Sequence, residues 1–307
     1  MDGAQTQHSF SGHETFPFRY PWLKKGYDAV CRDGDVFSRD DAITTLGVGK
    51  NMVRSIRYWC LAAGIIDEDR KREGGSARPT DFGRLLLADD GLDPYLEDPA
   101  TLWLVHWQIA SNRSRATTWF WTFSHYNEPE FSREMLAIAL SNWVQTLGGK
   151  PVADSSLRRD IDCFLRTYVP SRRGAGEVGE ESLDCPLVEL GLIMPSSDYQ
   201  TYRFRRGRQE GLPDHVLLFA VLRFWDAFAP ESMTLSLYDI ARQPASPGRL
   251  FKIDESSLVE RLENIESVTE GRLVFGDTAG IRQIYRRQRI DAVDEMLTKA
   301  YLESSRR

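Results

Sequence analysis

His13 and Glu14 stand side by side in FSGHETFPFRYPWLKKGYDAV (residues 10–30), an aromatic-rich stretch that also carries Arg19, Lys24 and Lys25. An imidazole beside a carboxylate can move a proton or bind a metal. A nearby guanidinium can stabilise charge that develops on a phosphate. His13, Glu14 and Arg19 therefore read as a set for phosphodiester chemistry. The competing reading is a structural arm that buries its aromatics and pairs Glu14 with Arg19. Several other chemistries fail on spacing: no second histidine follows as HExxH requires, no GxSxG elbow occurs, and the GVGK ending at Lys50 lacks both the spacing and the hydroxyl of a phosphate loop.

A second set is acidic. Asp160 and Asp162 flank Ile161, and Glu180, Glu181 and Asp184 follow a Gly-rich stretch. Asp160, Glu181 and Asp184 would hold magnesium or manganese if oxygen ligands converged from both segments. The alternative is a set of helix-surface acids that balance Arg158, Arg159 and Arg172. Cys31, Cys60, Cys163 and Cys185 stand singly with no CxxC pair. That pattern argues against a zinc ribbon or a disulfide framework and fits a reducing cytosol.

The cations are concentrated. From Ala42 to Ile66 there is no acid, and Lys50, Arg54 and Arg57 fall at i, i+4 and i+7, opposite Val53, Ile56 and Cys60. With Asn51 they make a face suited to the DNA major groove. Asp67, Glu68 and Asp69 count against that reading, although Arg70, Lys71 and Arg72 follow at once; a protein-binding helix is the alternative. Arg203 and Arg205 alternate with aromatics in YRFRRGR. Arg282, Arg286 and Arg289 fall on one helical face of IRQIYRRQR. Either strip could follow a phosphate backbone, and either could be a solvated surface.

These residues need elements to position them. The fold class is mainly α (α+β). Residues 1–34 form an N-terminal arm. Residues 35–90 read as a winged helix-turn-helix: a short helix capped by Ser38 with Asp41 three residues on, a Gly-containing turn, a longer helix ending at Gly64, a hairpin with a charged Gly-Gly tip, and a helix capped by Thr80. Residues 91–212 are a tryptophan-rich helical middle, with a helix over 155–169, a mobile loop at 172–181 and a strand at YQTYRFR. There Trp103, His106, Trp107 and Ala110 share a buried face, which makes His106 a satisfied core histidine. Residues 213–307 repeat this grammar as a second winged-helix-like domain. It has a long helix over 213–228, two short helices (the second capped by Asp254) and a hairpin in SVTEGRLVFGDTAG.

The 307 residues are 41% hydrophobic and 27% charged, with a net charge of −6, so any nucleic-acid contact must be local rather than global. No signal h-region or membrane-length apolar run is present, which points to a soluble cytoplasmic protein.

Four stretches carry a resemblance: FSGHETFPFRYPWLKKG, LGVGKNMVRSIRYWC, DIDCFLRTYV and LDCPLVELGLI. The chain resembles a bacterial family whose genes sit beside sulfurtransferase-like proteins in DNA phosphorothioation clusters, the SspB-type component of single-strand phosphorothioation. The resemblance implies a DNA-nicking subunit that works on double-stranded DNA. Its partners would be a cysteine desulfurase, an ATPase and an ATP-pyrophosphatase-like protein, in antiphage defence. The rival classes are a non-catalytic DNA-binding or scaffold subunit and a transcriptional regulator.

Overall fold

Pro21 in the first turn and the buried row Trp22, Leu23, Tyr27 and Val30 make residues 20–32 a helix, α1 (Tyr20–Arg32), rather than an extended arm. The computed structural model describes residues 8–69, 75–147, 152–171, 184–278, 280–288, 290 and 293–304. The expected wing tip (70–74), the whole of the expected loop at 172–181 with Glu180 and Glu181, and Arg289 lie outside the described residues. The chain divides into two units, residues 1–122 with 127–204, and residues 123–126 with 205–307.

In the first unit α1 is followed by α2 (Ala42–Leu46), α3 (Lys50–Ala62) and the antiparallel pair β1 (Ile66–Glu68) and β2 (Ala77–Pro79). Next come α4 (Asp81–Leu87), α5 (Pro99–Ser111), α6 (Thr117–Ser124), β3 (Glu130–Ser132), α7 (Arg133–Thr146), α8 (Asp154–Tyr168), β4 (Ile193–Pro195) and β5 (Thr201–Phe204). Gly47 ends α2 in the left-handed region, φ 63°, a conformation that costs glycine no Cβ clash. Thr80 caps α4, its Oγ1 accepting the Gly83 N–H at 2.8 Å. Ser38 does not cap α2. It ends a 3-10 turn (Val36–Ser38), and Asp41 at the cap position holds Arg39 at 2.8 Å instead. The Ser38 to Asp41 spacing matches a capping box, but α2 begins too late to use it.

α1 packs closely on α3. A Cβ on Gly26 would lie 2.4 Å from Cys60 Sγ, so only glycine fits there. Lys24 is buried at this end of α1 and donates to Asp28 at 2.7 Å and Asp89 at 2.6 Å. α5 carries Trp103, His106 and Trp107 into the core, and His106 Nδ1 meets Tyr168 Oη at 2.8 Å. The middle region also contains an antiparallel sheet ordered β3-β5-β4. β5 buries Tyr202 and Phe204 and leaves Arg203 exposed, as alternation requires.

The second unit comprises α9 (Asp214–Phe228), β6 (Thr234–Ser236), α10 (Leu237–Arg242), α11 (Pro247–Leu250), α12 (Glu255–Glu263), α13 (Ile265–Val268), β7 (Leu273–Thr278), β8 (Ile281–Arg286) and α14 (Val293–Ser304). Asp254 caps α12, accepting the Ser257 N–H at 2.8 Å. The hairpin lies later than SVTEGR: β7 and β8 pair from Leu273↔Arg286 to Thr278↔Ile281, and β6 adds to the far side of β8. Residues 281–286 are therefore strand, not helix. Val274, Phe275, Ile284 and Tyr285 give the pair the β-branched and aromatic content that favours a ladder. No described helix is long and apolar enough to cross a membrane.

Candidate functional site

His13 lies at 0% exposure, inside the first unit. Its Nδ1 accepts the Thr15 N–H at 3.0 Å, so Nε2 carries the proton and donates it to Asp160 Oδ1 at 3.0 Å. The same Asp160 oxygen accepts the Ser11 N–H, and Oδ2 accepts Thr118 Oγ1–H at 2.8 Å. Tyr58 and Trp119 stand edge-on to the imidazole, each with its ring centroid 5.6 Å away. Both ring nitrogens and both carboxylate oxygens of this pair are thus occupied, and water is excluded.

The turn that carries His13 is unusual. Ser11, Glu14 and Thr15 all adopt positive φ (62°, 49° and 68°), a region that costs a non-glycine residue roughly 1 kcal/mol or more. Gly12 between them lies so close to Tyr58 that a Cβ would sit 2.7 Å from its ring. Asp160 from α8 and Thr118 from α6 hold one end of the turn. Trp59 Nε1–H of α3 donates to the Phe16 carbonyl at 2.8 Å at the other, and Arg166 of α8 donates to the Thr15 carbonyl. The FSGHETF motif is a buried clasp that ties α3 to α6 and α8.

The three residues expected to act together point apart. Glu14 turns outward to Arg54 Nη1 at 3.3 Å, not to Arg19, and Arg19 lies over the Trp22 ring at 5.5 Å. Asp160 is not a surface acid. Its neighbour Asp162 is, pairing with Arg133 at 3.2 Å. Asp184 caps Ser171, accepting its N–H at 2.9 Å and its hydroxyl at 2.5 Å. Magnesium needs several converging oxygen ligands. Among the described residues no group of three or more His, Cys, Asp or Glu side chains converges, and Asp160 is already saturated. Asp160 and Asp184 are thus engaged separately, and Glu181, the third expected ligand, lies outside the described residues.

α3 presents the expected cationic face. Lys50, Asn51 and Arg54 are exposed, while Val53, Ile56, Trp59 and Cys60 are buried. Arg57 is half-buried and donates to Glu68 Oε1 of β1 at 3.2 Å. Glu68 also pairs with Arg115 at 2.7 Å. The Arg115 hydrogen bond leads in holding its carboxyl below the usual range. This Arg57–Glu68–Arg115 triad has no signal in the sequence, because Arg115 follows Glu68 by 47 positions and shares no pattern with it. At the other end of α3 burial pushes the Cys60 thiol well up, which makes it an inert core group.

Of the remaining expected DNA contacts, Arg203 and Arg205 are exposed, and Arg282 is exposed but paired with Asp277 at 2.9 Å. Arg286 departs from expectation. It is 6% exposed, bound to Asp226 at 2.9 Å and stacked 4.3 Å over the Trp225 ring. On the strand, residues 282, 284 and 286 share one face, on which Ile284 and Arg286 are buried while Arg282, next to the hairpin tip, is exposed. A buried, paired guanidinium offers nothing to a phosphate.

Residues 10–301 match the model of DUF4007, a protein of unknown function, and the chain belongs to that family. Two solved structures are similar over nearly the whole chain. The crystal structure of SspB has a TM-score of 0.87 at 32% identity, covering 99% of this chain and 91% of that one. The magnesium ion-bound SspB crystal structure has a TM-score of 0.88 at 30% identity, covering 100% and 92%. A comparison with curated proteins finds no match.

Proposed function

We propose that this protein is a DNA-binding subunit of a DNA phosphorothioation system. In this reading α2, α3 and the β1–β2 hairpin act as a winged helix on duplex DNA. The observation that carries the binding half is α3 itself: an acid-free helix with Lys50, Asn51 and Arg54 exposed at its start and a hairpin directly behind it. Exposed cations at the beginning of such a helix are where major-groove readers place their contacts. The system and the nicking step rest on the SspB-type resemblance, which the full-length likeness to SspB supports. The nick would open the strand in which sulfur replaces a backbone oxygen. A cysteine desulfurase, an ATPase and an ATP-pyrophosphatase-like protein would be its partners in cytoplasmic antiphage defence.

Supercoiled plasmid incubated with the pure protein, with and without magnesium or manganese, tests the reading; both ions are included because SspB has a magnesium-bound structure. Relaxed circles are expected. One observation favours a second reading, a non-catalytic DNA-binding subunit: both nitrogens of His13 are already occupied and no solvent reaches them. A gel shift without relaxation, alone or with the partner proteins, would select that reading. No gel shift at all would reject both.

A further inference from the structure

We propose that the DNA face of α3 continues across the FSGHETF turn onto α8, where Arg159 and Arg166 contact the sugar–phosphate backbone of the duplex. The inference rests on the DNA-binding reading of α3 and adds to it a second row of phosphate contacts. The turn itself links the two helices. Arg54 Nη1 of α3 donates to Glu14 Oε1 at 3.3 Å, and Arg166 Nη2 of α8 donates to the carbonyl of the next residue, Thr15. Two exposed guanidinium groups from different helices thus hold consecutive residues of one turn. The turn also follows α8 along its length. Ser11 Oγ–H donates to the Ser156 carbonyl at 3.5 Å, the Ser11 N–H donates to Asp160, and Thr15 meets Arg166. The part of α8 that carries Arg159 and Arg166 is therefore the part beside the turn.

The charges on α8 single these two arginines out. Arg158 pairs with Glu134 at 2.6 Å. Asp162, three residues from Arg159 and four from Arg166, is taken by Arg133 at 3.2 Å. Asp160, which the sequence offered as a balance for Arg159, is buried against His13 at 3.0 Å. Arg159 is left exposed with no hydrogen-bond or ion-pair partner among the described residues. Arg166 is exposed as well, and its one described partner is a neutral carbonyl. A guanidinium has five N–H donors, so Arg166 keeps four for a ligand. Seven residues make nearly two helical turns, so both side chains leave α8 on the same side, within about 20° and about 10 Å apart along the axis. That separation is about three phosphate steps of one DNA strand, at roughly 3.4 Å each along the duplex. Forked, permanently charged donors suit phosphate oxygens. With Lys50 and Arg54 the strip holds four exposed cations, and Glu14 is the acid within it, set against Arg54.

Fluorescence anisotropy of a labelled duplex oligonucleotide with the full chain, repeated over a salt series, tests the proposal. Arg159→Gln and Arg166→Gln should each reduce the slope of log K against log salt by about 0.9, and the double variant by about 1.8. Arg166→Lys should keep the slope, because a point charge still displaces a counterion from the phosphate. Glu14→Gln should tighten binding several-fold at low salt, since an acid leaves the strip. Arg159 holds nothing in the fold, so the Arg159→Gln melt should not move, and that variant reads the strip even where Arg166→Gln loosens the turn. Arg54→Ala separates this proposal from the one beneath it. A reduced slope for Arg54→Ala beside unchanged slopes for Arg159→Gln, Arg166→Gln and their double variant overturns the strip and leaves α3 as the DNA face. A wild-type chain that binds no duplex overturns both.

Discussion

Asp160 collects hydrogen bonds from Ser11, His13 and Thr118 inside the protein, so its removal orphans three donors at once. Each orphaned buried group costs about 1–3 kcal/mol. Asp160→Ala should therefore lose at least about 3 kcal/mol, read as a lower urea midpoint with an unchanged slope. His13→Ala should be destabilised by about 2–4 kcal/mol, from the orphaned Thr15 N–H and Asp160 and the cavity left behind. Any loss of nicking in that variant should track its folded fraction. A fully stable His13→Ala protein that no longer nicks would return His13 to catalysis. Both halves of the clasp stood out as chemistry-bearing residues, His13 for its neighbour Glu14 and Asp160 for its neighbour Asp162. Their partnership was not legible, because 147 residues separate them and no local spacing encodes a tertiary contact.

At the scale of elements, the hairpin behind α3 restrains the helix through Glu68. Glu68→Gln should free Arg57 and Arg115 and strengthen DNA binding several-fold in a gel shift at low salt, because an acid beside the phosphates is removed. The same substitution has a pH signature. The Glu68 carboxyl is held low in the folded chain, chiefly by Arg115, so its contribution is present above the unfolded value and lost as pH falls through the lower folded one. The stability difference between wild type and Glu68→Gln should be full at pH 7, begin to shrink as pH falls through the range of an ordinary glutamate, about 4, and vanish only below the lower folded value. On β8, Arg286→Ala should cost about 2–4 kcal/mol, since its buried guanidinium is paired and stacked, while Arg282→Ala should cost about 1 kcal/mol or less. Equal melts for the two variants would contradict the burial of Arg286.

At the scale of the whole molecule, a net charge of −6 means that DNA affinity must come from a few exposed cations rather than from a general field. If Lys50, Arg54 and one further cation neutralise three phosphates, the slope of log K against log salt is roughly −2.7, and Arg54→Ala reduces it by about one. An unchanged slope would assign α3 to protein binding. The sequence by itself determined the elements with strong local periods or caps: α3 with its cationic face, α5 with its buried tryptophans, α4 behind Thr80, α12 behind Asp254 and the alternation of β5. It also carried the family, through motifs read as continuous text. It misassigned residues 281–286, where a charge period of four suits a helix surface as well as it suits one face of a strand. Only the tertiary structure decided that β8 pairs on both edges, that Arg286 is buried and that FSGHETF is a clasp. These outcomes depend on which distant donor meets which acceptor once the chain is packed. Local spacing holds no record of that, because the energy of a buried polar group is set by the partners that replace its water.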